Sequence, residues 1–115
     1  MTLTTLWRFL LAVALTGAIT MALLPKPPSV PIDSDKLQHM LAFGTLTLLA
    51  VLAYPRTPLH RIGERMSFLG AMIEVLQSIP SLHRDCDIMD WIADTAIIVA
   101  VLLIAAIVRR GRAAT

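Results

Sequence analysis

A histidine, a glutamate and an aspartate lie inside long apolar segments of this 115-residue chain, at His39, Glu74 and Asp94. An ionised carboxylate at the centre of a membrane costs about 3 kcal/mol or more, so Glu74 should face protein and find a partner or a proton. A histidine and a glutamate placed together can bind a polar ligand or exchange a proton with a substrate. They can also form an ion pair that only joins two helices, and the residues alone leave these roles open.

Polar residues of this chain recur at the spacing of one helix face, because residues three or four positions apart are neighbours on a helix. The groups are Asp35 with His39 and Phe43, Gly70 with Glu74 and Gln77, and Asp87 with Asp90 and Asp94. If the segments cross a membrane in alternating directions, all three groups lie at similar depth on one side. We therefore expect one polar pocket, covered by the loops 25–36 and 81–90. Its expected binding residues are Lys36, His39, Glu74, Gln77, Arg84, Asp87, Asp90 and Asp94.

The composition of the chain indicates a membrane protein. Apolar residues make up 57% of it and charged residues 16%, whereas soluble domains have about 45–50% and about 25%. This balance excludes an ordinary cytoplasmic enzyme, a nucleic-acid module and a disordered chain. The net charge of +2 does not indicate a nucleic-acid partner, because the basic residues lie at the ends of the apolar segments.

The apolar segments predict an all-α, polytopic membrane protein, a four-transmembrane-helix bundle that forms a single domain over 1–115. We expect helices over about 6–24, 37–54, 62–80 and 90–108. The third apolar segment, 66–79, has only 14 residues and is interrupted by Glu74 and Gln77. It corresponds to about 21 Å of helix, so a re-entrant hairpin is the alternative there. The first segment is long for a signal peptide and has a poor cleavage site, so we expect it to be retained.

Positively charged residues set the orientation, because Lys and Arg are enriched in cytoplasmic segments. With a cytoplasmic N-terminus, the seven inner bases are Arg8, Arg56, Arg61, Arg65, Arg109, Arg110 and Arg112. The three outer bases are Lys26, Lys36 and Arg84. We therefore expect both termini to lie in the cytoplasm and the polar pocket to face outward.

Three blocks between residues 35 and 94 resemble the motifs of VanZ-like membrane proteins. Residues 35–43 are similar to the D-K-x-x-H-x-x-x-F element, and residues 70–77 are similar to G-x-x-x-E-x-x-Q. Residues 84–94 are similar to R-x-x-D-x-x-D-x-x-x-N, with Asp94 where the family commonly has Asn. The glycines that tend to follow are absent, and Ile97 stands in that stretch. The fourth helix thus has no glycine before Gly111, and the resemblance implies that it lacks the glycines on which its close packing would depend.

The resemblance implies a small integral protein of the bacterial inner membrane, with a link to tolerance of the glycopeptide teicoplanin. We expect it to bind a polar envelope component, a lipid or lipid-linked headgroup, whose anionic group Lys36 and Arg84 would take. One alternative is a headgroup hydrolase or transferase that uses His39 and Glu74 as an acid–base pair. Another is a structural or interaction protein whose polar residues only hold helices together.

No metal or other cofactor is expected. Metal sites can be assembled from His39, Glu74, Asp90 and Asp94, or from His83 and Cys86, but neither set has a specific metal signature. Cys86 is the only cysteine, which excludes an intramolecular disulfide. The expected partners are the lipids of the bilayer, with no nucleic acid, and no oligomeric state follows from the sequence.

Overall fold

The computed structural model of the chain describes residues 2–23, 35–78 and 88–114, with side chains from 37 in the second segment and up to 111 in the third. These residues form four α-helices and no strand, which confirms the prediction of an all-α, four-helix protein. The helices are α1 (Leu3–Leu23), α2 (Asp35–Ala53), α3 (Leu59–Gln77) and α4 (Ile88–Ala114).

α3 is a continuous helix that is longer than the apolar run predicting it. It begins directly after Pro58, whose carbonyl oxygen accepts hydrogen bonds from the amides of Arg61 and Ile62 at 3.1 and 3.3 Å. The first turns are amphipathic, because Ile62 is buried whereas Arg61 and Glu64 are exposed. The 19 residues of α3 therefore extend about 28 Å at about 1.5 Å each.

Contacts between helix ends show that successive helices run antiparallel. At one end of the bundle, His39 near the start of α2 contacts Asp94 near the start of α4. At the same end, Gln77 at the end of α3 contacts Ala22 at the end of α1. This end, where α1 and α3 finish and α2 and α4 begin, is termed the acidic end.

The opposite end of the bundle carries the arginines whose side chains the structure describes, and it is termed the basic end. Here the Arg8 Nε of α1 donates a hydrogen bond to the carbonyl oxygen of Ala53, the last residue of α2, at 3.0 Å. The Arg8 guanidinium also lies 4.6 Å from the ring centroid of Tyr54. The last carbonyls of a helix have no donor within the helix, and a cation is favoured beside them. Arg8 therefore satisfies a group at the end of α2 and fixes α1 against it.

α2 is the central helix of the bundle, packing against α1, α3 and α4. Its buried face includes Phe43, Leu46 and Ala50. These side chains form one apolar core with Ile73 of α3 and Ile98 of α4.

Glycines on α2 and α3 allow α4 to pack closely. A Cβ added at Gly44 of α2 would lie 3.3 Å from Cγ1 of Ile97, and one at Gly63 of α3 would lie 2.7 Å from Cδ1 of Leu102. The large side chains of Ile97 and Leu102 thus pack against the backbone of α2 and α3 at these glycines. The expectation that α4 cannot pack closely was wrong, because the glycines that allow the close packing lie on α2 and α3.

Two of the four helices are long and apolar enough to cross a membrane. The mean hydropathy is 1.8 in α1 and 2.6 in α4 over Ile88–Gly111. The apolar stretch of α2, Leu37–Ala53, is shorter, and α3 does not meet the same criteria, so length and composition identify two spans where the sequence predicts four. Only 6% and 11% of the apolar windows of α1 and α4 are buried, so their apolar side chains cover the outside of the bundle.

Gly70 of α3 allows a direct test of how α3 packs against α2 and α4. A Cβ there would lie 3.4 Å from Cδ1 of Trp91 and 3.5 Å from Cζ of Phe43, so alanine fits and a larger side chain does not. We expect Gly70→Leu to destabilise the protein by about 1–3 kcal/mol through overpacking, and Gly70→Ala to have little effect. Thermal unfolding in detergent, followed by circular dichroism, measures the change.

The control for this test is Gly17→Leu, since nothing lies within 4 Å of the Cβ position of Gly17. Both leucine substitutions gain the same helix propensity, so the difference between them isolates the packing. Equal melting temperatures for Gly70→Leu and Gly17→Leu would contradict the close contact at Gly70.

Candidate functional site

His39, Glu74 and Asp90 meet at the acidic end, each from a different helix. His39 is the fifth residue of α2, Glu74 lies three residues before the end of α3, and Asp90 is the third residue of α4. One nitrogen or oxygen atom of each side chain lies within 4.8 Å of those of the other two. Glu74 and Asp90 are 5% and 7% exposed, and His39 is partly buried. These three residues and Asp94 are termed the polar cluster.

Asp94 lies one turn farther along α4 than Asp90 and is only 1% exposed. Its Oδ2 lies 3.7 Å from Nδ1 of His39, which is longer than a hydrogen bond but close enough for a charge interaction. Its Oδ1 is buried and accepts no hydrogen bond from the described residues. Nearly all buried polar atoms of proteins have a hydrogen-bond partner. Among the described residues, the Oδ1 atom of Asp94 therefore lacks the hydrogen-bond donor that a buried oxygen normally has.

The small size of Gly70 leaves space beside the Asp94 carboxylate that a side chain larger than alanine would occupy. The position of a Cβ at Gly70 is 3.7 Å from Oδ2 of Asp94 and also adjoins the rings of Phe43 and Trp91. These rings make the surroundings of Asp94 apolar. A low dielectric strengthens every charge interaction of the carboxylate and raises the cost of leaving any polar atom unsatisfied.

A second polar contact joins α3 to α4, and the sequence analysis missed it. The hydroxyl oxygens of Ser67 and Thr95 are 3.0 Å apart, and the Trp91 Nε1 donates a hydrogen bond to the Ser67 carbonyl oxygen at 3.0 Å. Small hydroxyl residues in apolar helices often form hydrogen bonds between helices, and this signal was present at Ser67 and Thr95. Because Trp91 and Thr95 each follow an aspartate of the polar cluster, the contact holds that part of α4 in place.

Gln77 was predicted to line the polar pocket, and the structure shows it bonded to α1. Its side chain is 2% exposed. Its Nε2 donates a hydrogen bond to the carbonyl oxygen of Ala22, in the last turn of α1, at 2.8 Å. Gln77 thus satisfies a backbone group at the end of α1, which gives it a role in joining α1 to α3.

Charge is distributed unevenly between the two ends of the bundle. The polar cluster contains three carboxylates and one imidazole. The arginines whose side chains are described lie toward the basic end: Arg8, Arg56, Arg61, Arg65, Arg109 and Arg110. Within the part of the chain whose side chains are described, His39 is the only group at the acidic end that can carry a positive charge.

The structure does not test three of the predicted binding residues. Arg84 and Asp87 lie outside the described residues, and Lys36 lies in α2 but its side chain is outside them. His83 and Cys86, the other set from which a metal site was considered, also fall outside.

Comparison of the chain with protein-family models, with curated proteins and with solved structures found no match. The four-helix fold and the polar cluster are therefore the observations on which a function can be proposed.

The contact of Gln77 with Ala22 predicts a structural effect of its loss. We expect Gln77→Leu to lower the free energy of unfolding by about 1 kcal/mol, because it removes the donor to a buried carbonyl while keeping a side chain of similar size. Thermal unfolding in detergent measures the change. Val75→Leu is the control, since Val75 lies on the same helix and is exposed. A Gln77→Leu protein as stable as the control would show that this hydrogen bond contributes nothing.

Proposed function

We propose that the chain is a four-span protein of the bacterial inner membrane, with both termini cytoplasmic and the acidic end facing outward. α1 and α4 are each apolar enough to cross a bilayer, and α2 and α3 pack against them in alternating directions. At about 28 Å, α3 approaches the thickness of a hydrocarbon core of about 30 Å. The arginines at the basic end support the orientation, because positive charge favours the cytoplasmic side.

The proposed function is the binding of a polar envelope component, a lipid or lipid-linked headgroup, at the polar cluster. The observation that carries it is the buried Oδ1 of Asp94, an acceptor without a hydrogen bond from the described residues. Hydroxyl or amine donors of a headgroup would supply that bond. Lys36 and Arg84 would take an anionic group, because the sequence puts both at the acidic end. An arginine side chain suits phosphate in particular, since it donates several hydrogen bonds in a fixed plane.

An apolar groove supports a lipid as the bearer of that headgroup. The groove has a volume of about 690 Å³ and lies between α1, α2 and α4. Its α2 wall begins at Met40 and Leu41, directly after His39 in the chain. Residues farther along the groove include Leu48 and Ile104, and Arg109 lines it at the basic end. A lipid whose acyl chain lies in the groove with its polar end toward Met40 would have that end at the depth of the polar cluster.

The resemblance to VanZ-like proteins belongs to this proposal. Each motif block contributes at least one residue to the polar cluster: His39, Glu74, and Asp90 with Asp94. A link to teicoplanin tolerance would then act through the envelope component that the cluster binds.

Native mass spectrometry of the full chain, extracted with its lipids, tests the proposed function. We expect the wild-type protein to retain a lipid of defined headgroup. Glu74→Gln should weaken that retention by about 10- to 100-fold, the equivalent of losing a hydrogen bond to a charged group worth about 1.5–3 kcal/mol. Glu64→Gln is the matched control, because Glu64 is an exposed residue at the opposite end of the same helix.

The same spectra separate the rival functions. Loss of lipid from Glu74→Gln alone supports headgroup binding, and equal retention by both variants contradicts it. A polar cluster with a purely structural role would give a folded wild-type protein with no defined lipid.

An enzyme is the second candidate, because His39 and Glu74 have atoms close enough for an acid–base pair. Conversion of the bound lipid to a product of different mass, abolished by His39→Ala, would support it.

A further inference from the structure

The polar cluster combines the ligand types of a metal site. His39, Glu74 and Asp90 each offer one ligand atom, and these atoms lie within 4.8 Å of one another. Ligands bound to one Zn²⁺ at about 2.1 Å lie about 3–4 Å apart. Small side-chain rotations would therefore bring all three atoms to one ion. Each ligand comes from a different helix, so the set forms no metal signature along the sequence.

Asp94 provides a second, independent observation. It is 1% exposed, its Oδ2 faces Nδ1 of His39 at 3.7 Å, and its Oδ1 has no hydrogen bond from the described residues. A carboxylate beside one nitrogen of a ligating histidine is the common arrangement around metal ions, where it fixes the tautomer and orients the ring. With Nδ1 directed to Asp94, the proposed ligand atom of His39 is Nε2.

The charge of the polar cluster also favours a cation. Glu74, Asp90 and Asp94 are all more than nine-tenths buried. Carboxylate groups held close together in a low dielectric repel one another when they are ionised. A divalent cation between them converts that repulsion into attraction.

We propose that His39, Glu74 and Asp90 bind one divalent first-row metal ion, with Asp94 as the positioning residue of His39. An imidazole ligand favours Zn²⁺ over Mg²⁺ and Ca²⁺, which prefer oxygen ligands alone, and the two carboxylate ligands also suit Mn²⁺. Three protein ligands leave a coordination position open, as in metal sites that also bind a small ligand. The inference goes beyond headgroup binding and holds or fails separately from it.

Metal titration of the full chain tests the proposal. The protein is purified without a histidine tag, freed of lipid in detergent, and treated with a chelator that is then removed. Mn²⁺ binding is followed by the loss of the sharp EPR signal of the free ion, and Zn²⁺ binding by competition with a colorimetric indicator. We expect one ion per chain and a rise in melting temperature when it binds, because an ion that binds only the folded state stabilises it.

Isosteric variants assign the ion to this site. We expect Asp94→Asn to weaken Mn²⁺ and Zn²⁺ affinity by about 10- to 100-fold, as the loss of a partner of a ligating histidine does. His39→Gln and Asp90→Asn should weaken it further, because they remove ligands. Glu64→Gln and the double variant His83→Ala with Cys86→Ser should bind as tightly as the wild type. Circular dichroism establishes that each variant is folded before titration.

Two results would overturn the proposal. A folded wild-type protein that binds neither Mn²⁺ nor Zn²⁺ has no such site. Binding that is unchanged in His39→Gln and Asp90→Asn, or that is lost in the His83 and Cys86 double variant, places the ion elsewhere.

Native mass spectrometry without added metal distinguishes the metal site from headgroup binding. Lipid retained by a chain that binds no metal rejects the metal site alone, and metal bound by a chain that retains no lipid rejects headgroup binding alone.

Discussion

Burial of carboxylates in an apolar helix bundle is the constraint on which this structure depends. Glu74, Asp90 and Asp94 are almost completely removed from solvent, and each would be unfavourable there as an isolated charge. The bundle brings them together with His39 near one end, where α2 and α4 begin and α3 finishes. Their placement near the helix ends keeps them close to the headgroup level proposed above. Farther toward the basic end, the core is built from side chains such as Leu46, Ala50 and Ile62.

Several contacts that carry no charge hold the polar cluster in place. Gly70 leaves space for the Asp94 carboxylate, and the Trp91 indole bonds to the backbone of α3. Gln77 ties the end of α3 to the end of α1. At the far end, Arg8 bonds to the last residue of α2. A ligand or ion bound at the acidic end, as proposed above, would thus act on helices that are already fixed to one another, which lowers the cost of ordering the site.

The helices and the meeting of His39, Glu74 and Asp94 could be predicted from the sequence, because apolar runs and spacings of three and four residues are local signals. The sequence also placed these residues at one end, since alternating helices return to the same side. The hydrogen bond of Gln77 to α1 could not be predicted, because nothing in its spacing along the sequence identifies a contact with the end of another helix. The close packing of α4 could not be predicted either, because it depends on contacts between helices. Gly44 and Gly63 lie on other helices, and only the fold brings them to Ile97 and Leu102. A metal site at His39, Glu74, Asp90 and Asp94 was considered but not expected from the sequence, because these residues form no specific metal signature.

The stability of Asp94→Asn in protein stripped of lipid and metal tests most directly whether the polar cluster is built for a ligand. A buried carboxylate whose partner is absent destabilises the folded state, and a neutral side chain of the same shape removes that cost. We expect the stripped Asp94→Asn protein to melt at or above the temperature of the stripped wild type. A clear loss of stability would show that Asp94 and His39 complete a structural ion pair by themselves, and would contradict the account.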